Sequence, residues 1–402
     1  MSEWICYVTS RFPWPPNSGA ERRVFQQLLM LGDHYKVCLV TSSRSLEGVS
    51  DEFVEELRGI VDDLVVVPRS SRWVRRGAGL ASGWPLQVAR AYDGSLHQAI
   101  RQAERRHDAV CTLYSLVRTA PYMGGRRTAA VLDFCDALSF QFARRVEHAR
   151  PGMRAVLRAE AHLLRQYERW CNRSADVTTI TTRADADRVG GGATYVIPTT
   201  YEISDGVDGA DPVEIIDGTV LVFTGDMSTQ YSEEAAVWFA HQVLPTVLRQ
   251  VPTARFFIVG RAPGPRIRQL SRDLDAVTVT GAVESVASYL RAASVAVVPL
   301  QFGTGIKNKM LEAFAEGVPV VATTLSDEGM GAASAGGVTL ADDPAEFAHA
   351  VVRLVQNIEA RSAQVAAATA FARERYGRAL VTSQLVASVE GARRRAARTQ
   401  RR

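Results

Sequence analysis

Two of the three lysines in this 402-residue chain, which carries 47 lysines and arginines in all, stand two residues apart in the stretch PLQFGTGIKNKMLEAFAEGVPVVAT, residues 299–323. They are Lys307 and Lys309. Gly303 and Gly305, on either side of Thr304, let the backbone turn tightly and come close to a ligand. A helical pattern follows, so free N–H groups and the positive end of a helix dipole face the same place. Lysine adds a mobile point charge that reaches a phosphate oxygen without the planar geometry of arginine's fork. Cations at a helix start are otherwise unfavourable, by a few tenths to about 1 kcal/mol. The chemistry this pattern serves is diphosphate binding, with charge stabilisation on a departing phosphate. Glu312, three residues beyond Lys309, suits hydrogen bonding to a ribose diol, with a salt-bridged surface glutamate as the plainer alternative.

Other residues could serve the same chemistry. Gly19, in the loop RFPWPPNSGAE, offers close backbone approach to a phosphate or sugar, with Glu21 in the first helical turn behind it. Asp133 and Asp136, in VLDFCDALS, end a strand, and Asp136 is the candidate for orienting an acceptor or sugar hydroxyl. Asp226 and Arg261 stand at the ends of two strands in the second half and are candidate donor contacts. Residues 69–92, too irregular for core, present Trp73 and Trp84 as flat apolar faces for an acceptor. No metal site is expected: the acidic runs ADADR and ADDPAE read as helix starts, and the five cysteines lack CxxC or Cys/His ligand spacing. Buried reduced thiols are the expectation.

These residues need elements to hold them. Short apolar runs alternate with helical stretches: WICYVTS, YKVCLVT, DLVVVP, AVCTLYS, AAVLDFC, DVTTITT and ATYVIPT in the first half. TVLVFTG, ARFFIVG, AVTVTGA, SVAVVPL, VPVVATT and GGVTLAD follow in the second. Continuous apolar strands belong to parallel sheets buried on both faces. The spacing predicts an α/β chain of two doubly wound, Rossmann-like domains facing across a cleft, over 1–200 and 218–372. A linker occupies 201–217, and a helix with a basic tail occupies 373–402. The chain starts without a basic, apolar leader and has no run near the roughly 18 apolar residues a membrane span needs, so a cytoplasmic protein is expected. The formal charge of +4 tells little about partners, and neither basic stretch, PRSSRWVRRGAGLASGW or the C-terminal tail, carries a nucleic-acid motif, so no nucleic-acid partner is expected. The tail EGARRRAARTQRR is a solvated end or a loose attachment to an anionic membrane surface.

The stretch 299–323 resembles the donor-site signature of GT-B-fold glycosyltransferases of family 4, which use nucleotide sugars and retain anomeric configuration. PWPPNSGAERRVFQQLLMLGDHYKVCLVT is similar to that family's N-terminal glycine loop, and GTVLVFTGDMS, ARFFIVGRAPG and VTVTGAVESVASYLRAASVAVVPL resemble successive elements of its donor domain. The resemblance implies a second domain that binds a nucleoside-diphosphate sugar, a first domain that binds the acceptor, and a last helix, YGRALVTSQLVASVEGA, that crosses back. The sugar nucleotide is then a substrate, and no cofactor is implied. It also implies same-face attack, in which the departing phosphate takes the acceptor proton and no metal is needed. The sequence departs from the pattern in two places. Thr304 stands where many members carry a glutamate, as in branches with a GGTRxKxLEA loop, and the basic pair after the donor domain's first strand is replaced by Asp226 and Tyr231. A degenerate protein that binds a nucleotide sugar or partner without transfer, and a nucleotide-sugar epimerase, are the alternatives.

Overall fold

The structure, a computed structural model, describes residues 2–14, 19–43, 51–68, 83–147, 149–190, 192–201, 218–302 and 307–400. The chain divides into two compact units, Met1–Thr200 with Arg378–Arg402, and Tyr201–Gly377. Residues 202–217 of the expected linker lie outside the described residues.

In the first unit β1 (Trp4–Val8), β2 (Lys36–Ser43), β3 (Asp63–Pro68), β4 (Cys111–Ser115), β5 (Ala129–Asp133), β6 (Val177–Ile180) and β7 (Thr194–Val196) form one sheet. Its order is β3-β2-β1-β4-β5-β6-β7 and every pair is parallel. Alternate residues of one strand enter different cores. Ile5, Tyr7, Val37 and Leu39 pack with Val24, Leu28 and Leu31 of α1 (Gly19–Gly32) and with Val381, Leu385 and Val389 of the last helix, Arg378–Gln400. Cys6, Val8, Cys38 and Val40 face the other way, toward Leu96 and Ile100 of the helix Gly94–Arg106 and Tyr167 and Cys171 of α2 (Pro151–Ser174). Both faces being dry is why these strands read as unbroken apolar runs. The last helix is tied further to this unit by Tyr35, whose hydroxyl donates to Glu390 at 3.0 Å, and by Arg393, paired with Glu3 at 2.8 Å.

The second unit repeats the plan with β8 (Thr219–Thr224), β9 (Ala254–Val259), β10 (Val277–Gly281), β11 (Val295–Val298), β12 (Val320–Ala322) and β13 (Thr339–Leu340), in the order β10-β9-β8-β11-β12-β13 and again parallel. The strand order reverses between β8 and β11, and ligands of open α/β sheets sit outside the carboxyl ends at such a switch point. The loop from 299 leads from β11 to α3 (Asn308–Ala315) at that place. Two glycines allow the strand ends to close up. Gly225 and Gly260 each have φ of 151°, and a Cβ on Gly260 would lie 1.7 Å from the Gly225 carbonyl oxygen.

Two local expectations change. The pattern SEEAAVWFAHQVLPTVLRQV is helical throughout but widens to a π-turn at Phe239–Val243, before Pro245, whose missing N–H cannot continue the regular ladder. Residues 69–92 are not wholly outside the core: Val88, Ala89 and Ala91 at their end are buried, on and just beyond a short helix, Leu86–Ala89.

Candidate functional site

Lys309 lies in the first turn of α3, and its Nζ is enclosed although the stem is half-exposed. The ammonium sits 4.2 Å from the centroid of the Phe223 ring and 5.8 Å from that of Tyr231, while an added Cβ on Gly225 would come within 3.1 Å of it. Among the described residues it has no hydrogen-bond partner. Burial pulls its pKa down to about 7; Glu312 opposes that fall and the neighbouring charge of Lys307 adds to it. A buried ammonium with three unused donors is expensive, and such groups are nearly always satisfied by protein, water or ligand. The aromatic rings offset only part of this cost. Lys307 occupies the N-cap position of α3 and is 7% exposed, close enough for its charge to act on Lys309. Gly303, Thr304 and Gly305 lie outside the described residues.

Glu312 follows one turn later on α3, and Thr224, the last residue of β8, donates its hydroxyl to Glu312 Oε2 at 3.3 Å. Asp226 and Arg261, proposed independently as donor contacts, meet each other: Arg261 Nε and Nη2 donate to Asp226 Oδ2 at 3.1 and 2.8 Å. Ser228 donates its N–H and hydroxyl to Asp226 Oδ1 at 3.0 and 2.6 Å. Burial raises the Asp226 carboxyl, and these hydrogen bonds from Ser228 and Arg261 more than reverse it, holding the group below its ordinary range. The pair forms a polar, partly exposed rim beside Gly225.

In the first unit Gly19 begins α1. Asp136 is half-buried and accepts from Gln141 Nε2 and Thr181 Oγ1, both at 3.2 Å. Asp133 has a structural role: it is buried and bidentate with Arg23 Nε and Nη2 at 2.8 and 2.9 Å, and accepts from Thr179 Oγ1 at 2.7 Å. Burial opposes its charge, yet the Arg23 guanidinium and these bonds depress its pKa. Trp84 is half-buried and packs edge-on to Tyr92 at 5.2 Å, flanking the core, while Trp73 lies outside the described residues.

Several features have no sequence signal. Leu116, directly after β4, and Cys135, two residues after β5, hold φ of 68° and 63°, a backbone strain of about 1–3 kcal/mol each for non-glycine residues. Both lie at the carboxyl ends of the strands; Leu116 donates its N–H to the Asp133 carbonyl at 2.7 Å, and Cys135 precedes Asp136. Cys38 Sγ, Asp63 and His107 come together within 4.8 Å from three elements far apart in sequence. His107 Nε2 lies 2.7 Å from Asp63 Oδ2, Arg106 adds its charge at 3.7 Å, and the imidazole stacks on Trp4 at 4.0 Å, so the group is satisfied internally. Asp343, by contrast, does what the acidic run ADDPAE was read to do: it caps the helix Pro344–Gln356 by accepting from Ala345 and Glu346 N–H groups at 2.8 and 3.2 Å.

Comparison with solved structures decides the architecture. A structure of Anabaena Alr3699/HepE in complex with UDP superposes with a TM-score of 0.66 at 15% identity, covering 96% of this chain and 99% of that one. Sucrose-phosphate synthase from Thermosynechococcus elongatus superposes with a TM-score of 0.67 at 14% identity, covering 96% and 98%. The fold is GT-B. Within it, residues 218–357 match the family model described as Glycosyl transferases group 1, which places the match over the unit that holds Lys309. An uncharacterized 44.6 kDa protein in the cps region of Klebsiella pneumoniae is 23% identical over 172 residues, 41% of this chain. The alignment spans less than half the length of that relative, 44%. No helix among the described residues of this GT-B chain is long and apolar enough to cross a membrane.

Proposed function

We propose that this chain is a glycosyltransferase that moves a sugar from a nucleoside-diphosphate sugar to an acceptor hydroxyl of a polysaccharide, glycolipid or specialised metabolite. The observation that carries the reading is the enclosed, unpartnered Lys309 ammonium at the switch point of the second unit. A diphosphate oxygen supplies what that group lacks. Lys307 and the loop amides of Gly303, Thr304 and Gly305 complete the grip, and Glu312 takes the ribose.

In the reaction the bond between the anomeric carbon and the β-phosphate oxygen breaks, with its electron pair leaving on the phosphate. Lys307 and Lys309 stand where that charge grows, and preorganised charge in a dry site is the largest common source of catalysis. The acceptor oxygen bonds to the anomeric carbon from the same face, and its proton passes to the departing phosphate. This gives retention without a protein nucleophile and without a metal. Asp136 in the first unit orients the acceptor hydroxyl. Five free thiols fit a reducing compartment, and the cytoplasm is the proposed location.

The similar structures support the donor class, one being a complex with UDP and another a sucrose-phosphate synthase. A thermal-shift screen over UDP, GDP, dTDP and ADP tests it, because a ligand that binds only the folded chain raises its melting temperature. Incubation with radiolabelled nucleotide sugars then separates transfer from binding. Release of free nucleotide supports the enzyme, and no stabilisation by any of the four nucleotides overturns the reading.

A further inference from the structure

The sheet of the first unit has a switch point of its own. Its strand order reverses between β1 and β4, which pair in parallel from Ile5 and Cys111 to Val8 and Tyr114, so the carboxyl edge opens to a ligand there. Three arginines leave the sheet around that place. Arg11 lies three residues beyond β1 and Arg118 three residues beyond β4. Arg145 comes from the helix Leu138–Glu147, which follows β5, the strand on the other side of β4. Arg11 and Arg145 are close enough for their charges to act on Arg118, whose pKa is pulled down first by burial and then by these two neighbours.

Like charges gathered in this way repel, and the fold does not offset them. Among the described residues no carboxylate pairs with Arg11, Arg118 or Arg145. Asp133, at the end of β5, is taken by Arg23. The side-chain partner of Arg118 is neutral: its Nη2 donates to Gln87 Oε1 at 3.2 Å, which leaves most of the fork's five donors open.

The turn that delivers Arg118 is held under strain. Leu116 has φ of 68° and ψ of 149°, and it is pinned there by its own N–H, which donates to the Asp133 carbonyl at 2.7 Å, and by Thr119, whose N–H donates to the Leu116 carbonyl at 2.9 Å. Every other residue of the helical turn Val117–Met123 is buried, so Arg118 is the side chain that this turn presents. Strained backbone persists where its surroundings over-determine it, and it gathers at ligand sites.

We propose that Arg11, Arg118 and Arg145 bind a phosphate group carried by the acceptor. A guanidinium matches phosphate oxygens two at a time, and three of them with no carboxylate among them favour a dianion over a neutral hydroxyl. That the phosphate belongs to an acceptor rests on the glycosyl-transfer reading, in which the first unit takes the acceptor; the anion site itself stands on the first unit alone. A soluble sugar phosphate and a lipid-linked diphosphate share this chemistry.

Calorimetric titration of the full-length protein, with no nucleotide present, tests this with glucose 6-phosphate, farnesyl diphosphate and glucose as probes. Wild type should bind at least one of the two phosphates and bind glucose at least about ten-fold more weakly. Tighter binding of the sugar phosphate supports a soluble acceptor, and tighter binding of the prenyl diphosphate supports a lipid-linked one. Arg118→Gln should weaken phosphate binding by about ten-fold or more, the worth of one charge-assisted hydrogen bond, and Arg11→Gln with Arg145→Gln should do the same. Arg11 and Arg145 are exposed, so the double variant should keep the wild-type melting temperature and its loss of affinity does not come from misfolding. No binding of either phosphate by wild type, or affinity indifferent to the arginine changes, overturns the inference. So does phosphate binding that Lys309→Met abolishes and the arginine variants retain, which would place the anion in the second unit. The arginine variants should still be stabilised by the nucleotide that stabilises wild type, so a failure of this site and a failure of the donor site are read in different titrations.

Discussion

Replacing Lys309 by methionine separates a ligand-seeking lysine from a structural one, because the two roles predict opposite effects on stability. In the empty protein the Lys309 pKa falls from 10.5 to about 7, chiefly through burial. At about 1.36 kcal/mol per pH unit this is a cost of order 5 kcal/mol to keep the group charged, an upper figure because local relaxation reduces it. The sign follows from proton counts. Between pH 7 and 10.5 the unfolded chain holds a proton on this lysine that the folded chain has shed, so wild-type stability rises with pH across that window. Below pH 7 both states are protonated and the full cost is present. Methionine keeps the volume and removes the charge, so Lys309→Met should be more stable than wild type by a few kcal/mol at pH 6 in urea melts. The advantage should shrink by roughly 2–3 kcal/mol between pH 7 and pH 9. The same variant should lose about 10- to 150-fold in nucleoside-diphosphate affinity, the worth of one charge-assisted hydrogen bond of about 1.5–3 kcal/mol. Wild type should take up close to half a proton on binding at pH 7, visible as a dependence of calorimetric heat on buffer ionisation enthalpy. A variant that is less stable than wild type at pH 6 and binds nucleotide normally would refute both the site and the electrostatic reasoning.

Three further outcomes follow from the geometry. Asp133→Asn should cost about 3–5 kcal/mol by leaving Arg23 buried and unpaired. Because the Asp133 pKa is depressed, its stabilisation is full above about 4 and is lost as pH falls through the lower folded value, so acid melts of the variant should be flatter than those of wild type. Gly260→Ala, whose Cβ would fall 1.7 Å from the Gly225 carbonyl, should cost more than about 3 kcal/mol or prevent folding of the second unit, and a change under about 1 kcal/mol in urea melts would contradict the strand-end closure described. Donor turnover should persist in excess EDTA; complete loss that magnesium or manganese restores would move the phosphate chemistry from the lysines to a metal.

The layered architecture was legible because it depends on local pattern. Thirteen apolar runs became thirteen parallel strands, since a strand dry on both faces must be apolar at every position, whatever its partner. Polar pairings are different, because any guanidinium can meet any carboxylate and spacing says nothing about which. Arg23 and Asp133 are 110 residues apart, so Asp133 read as a strand-end carboxylate free to serve a site when it is a buried half of an ion pair. Cys38, Asp63 and His107 meet through the pairing of two neighbouring strands and a helix end, and no ligand-like spacing announces them. Glu160 and Glu168 look from sequence like ordinary charges on a mixed helix, yet both are buried and committed to Leu86, Gln87 and Ser139.

Lys309 shows the boundary between the two kinds of information most sharply. Its rarity, its glycine-rich approach and its place at a helix start are written in residues 299–323, and those were enough to associate it with a diphosphate. What leaves its charge unsatisfied is supplied from outside that stretch, by Phe223 at the end of β8 and Tyr231 on the next helix, whose rings close over the ammonium without a hydrogen bond to it. Lysine tolerates this enclosure because its pKa can fall and its charge can lapse, whereas arginine would stay charged and unpaired in the same place. A Lys309→Arg variant should therefore lose stability in the empty protein without recovering the affinity of the native residue.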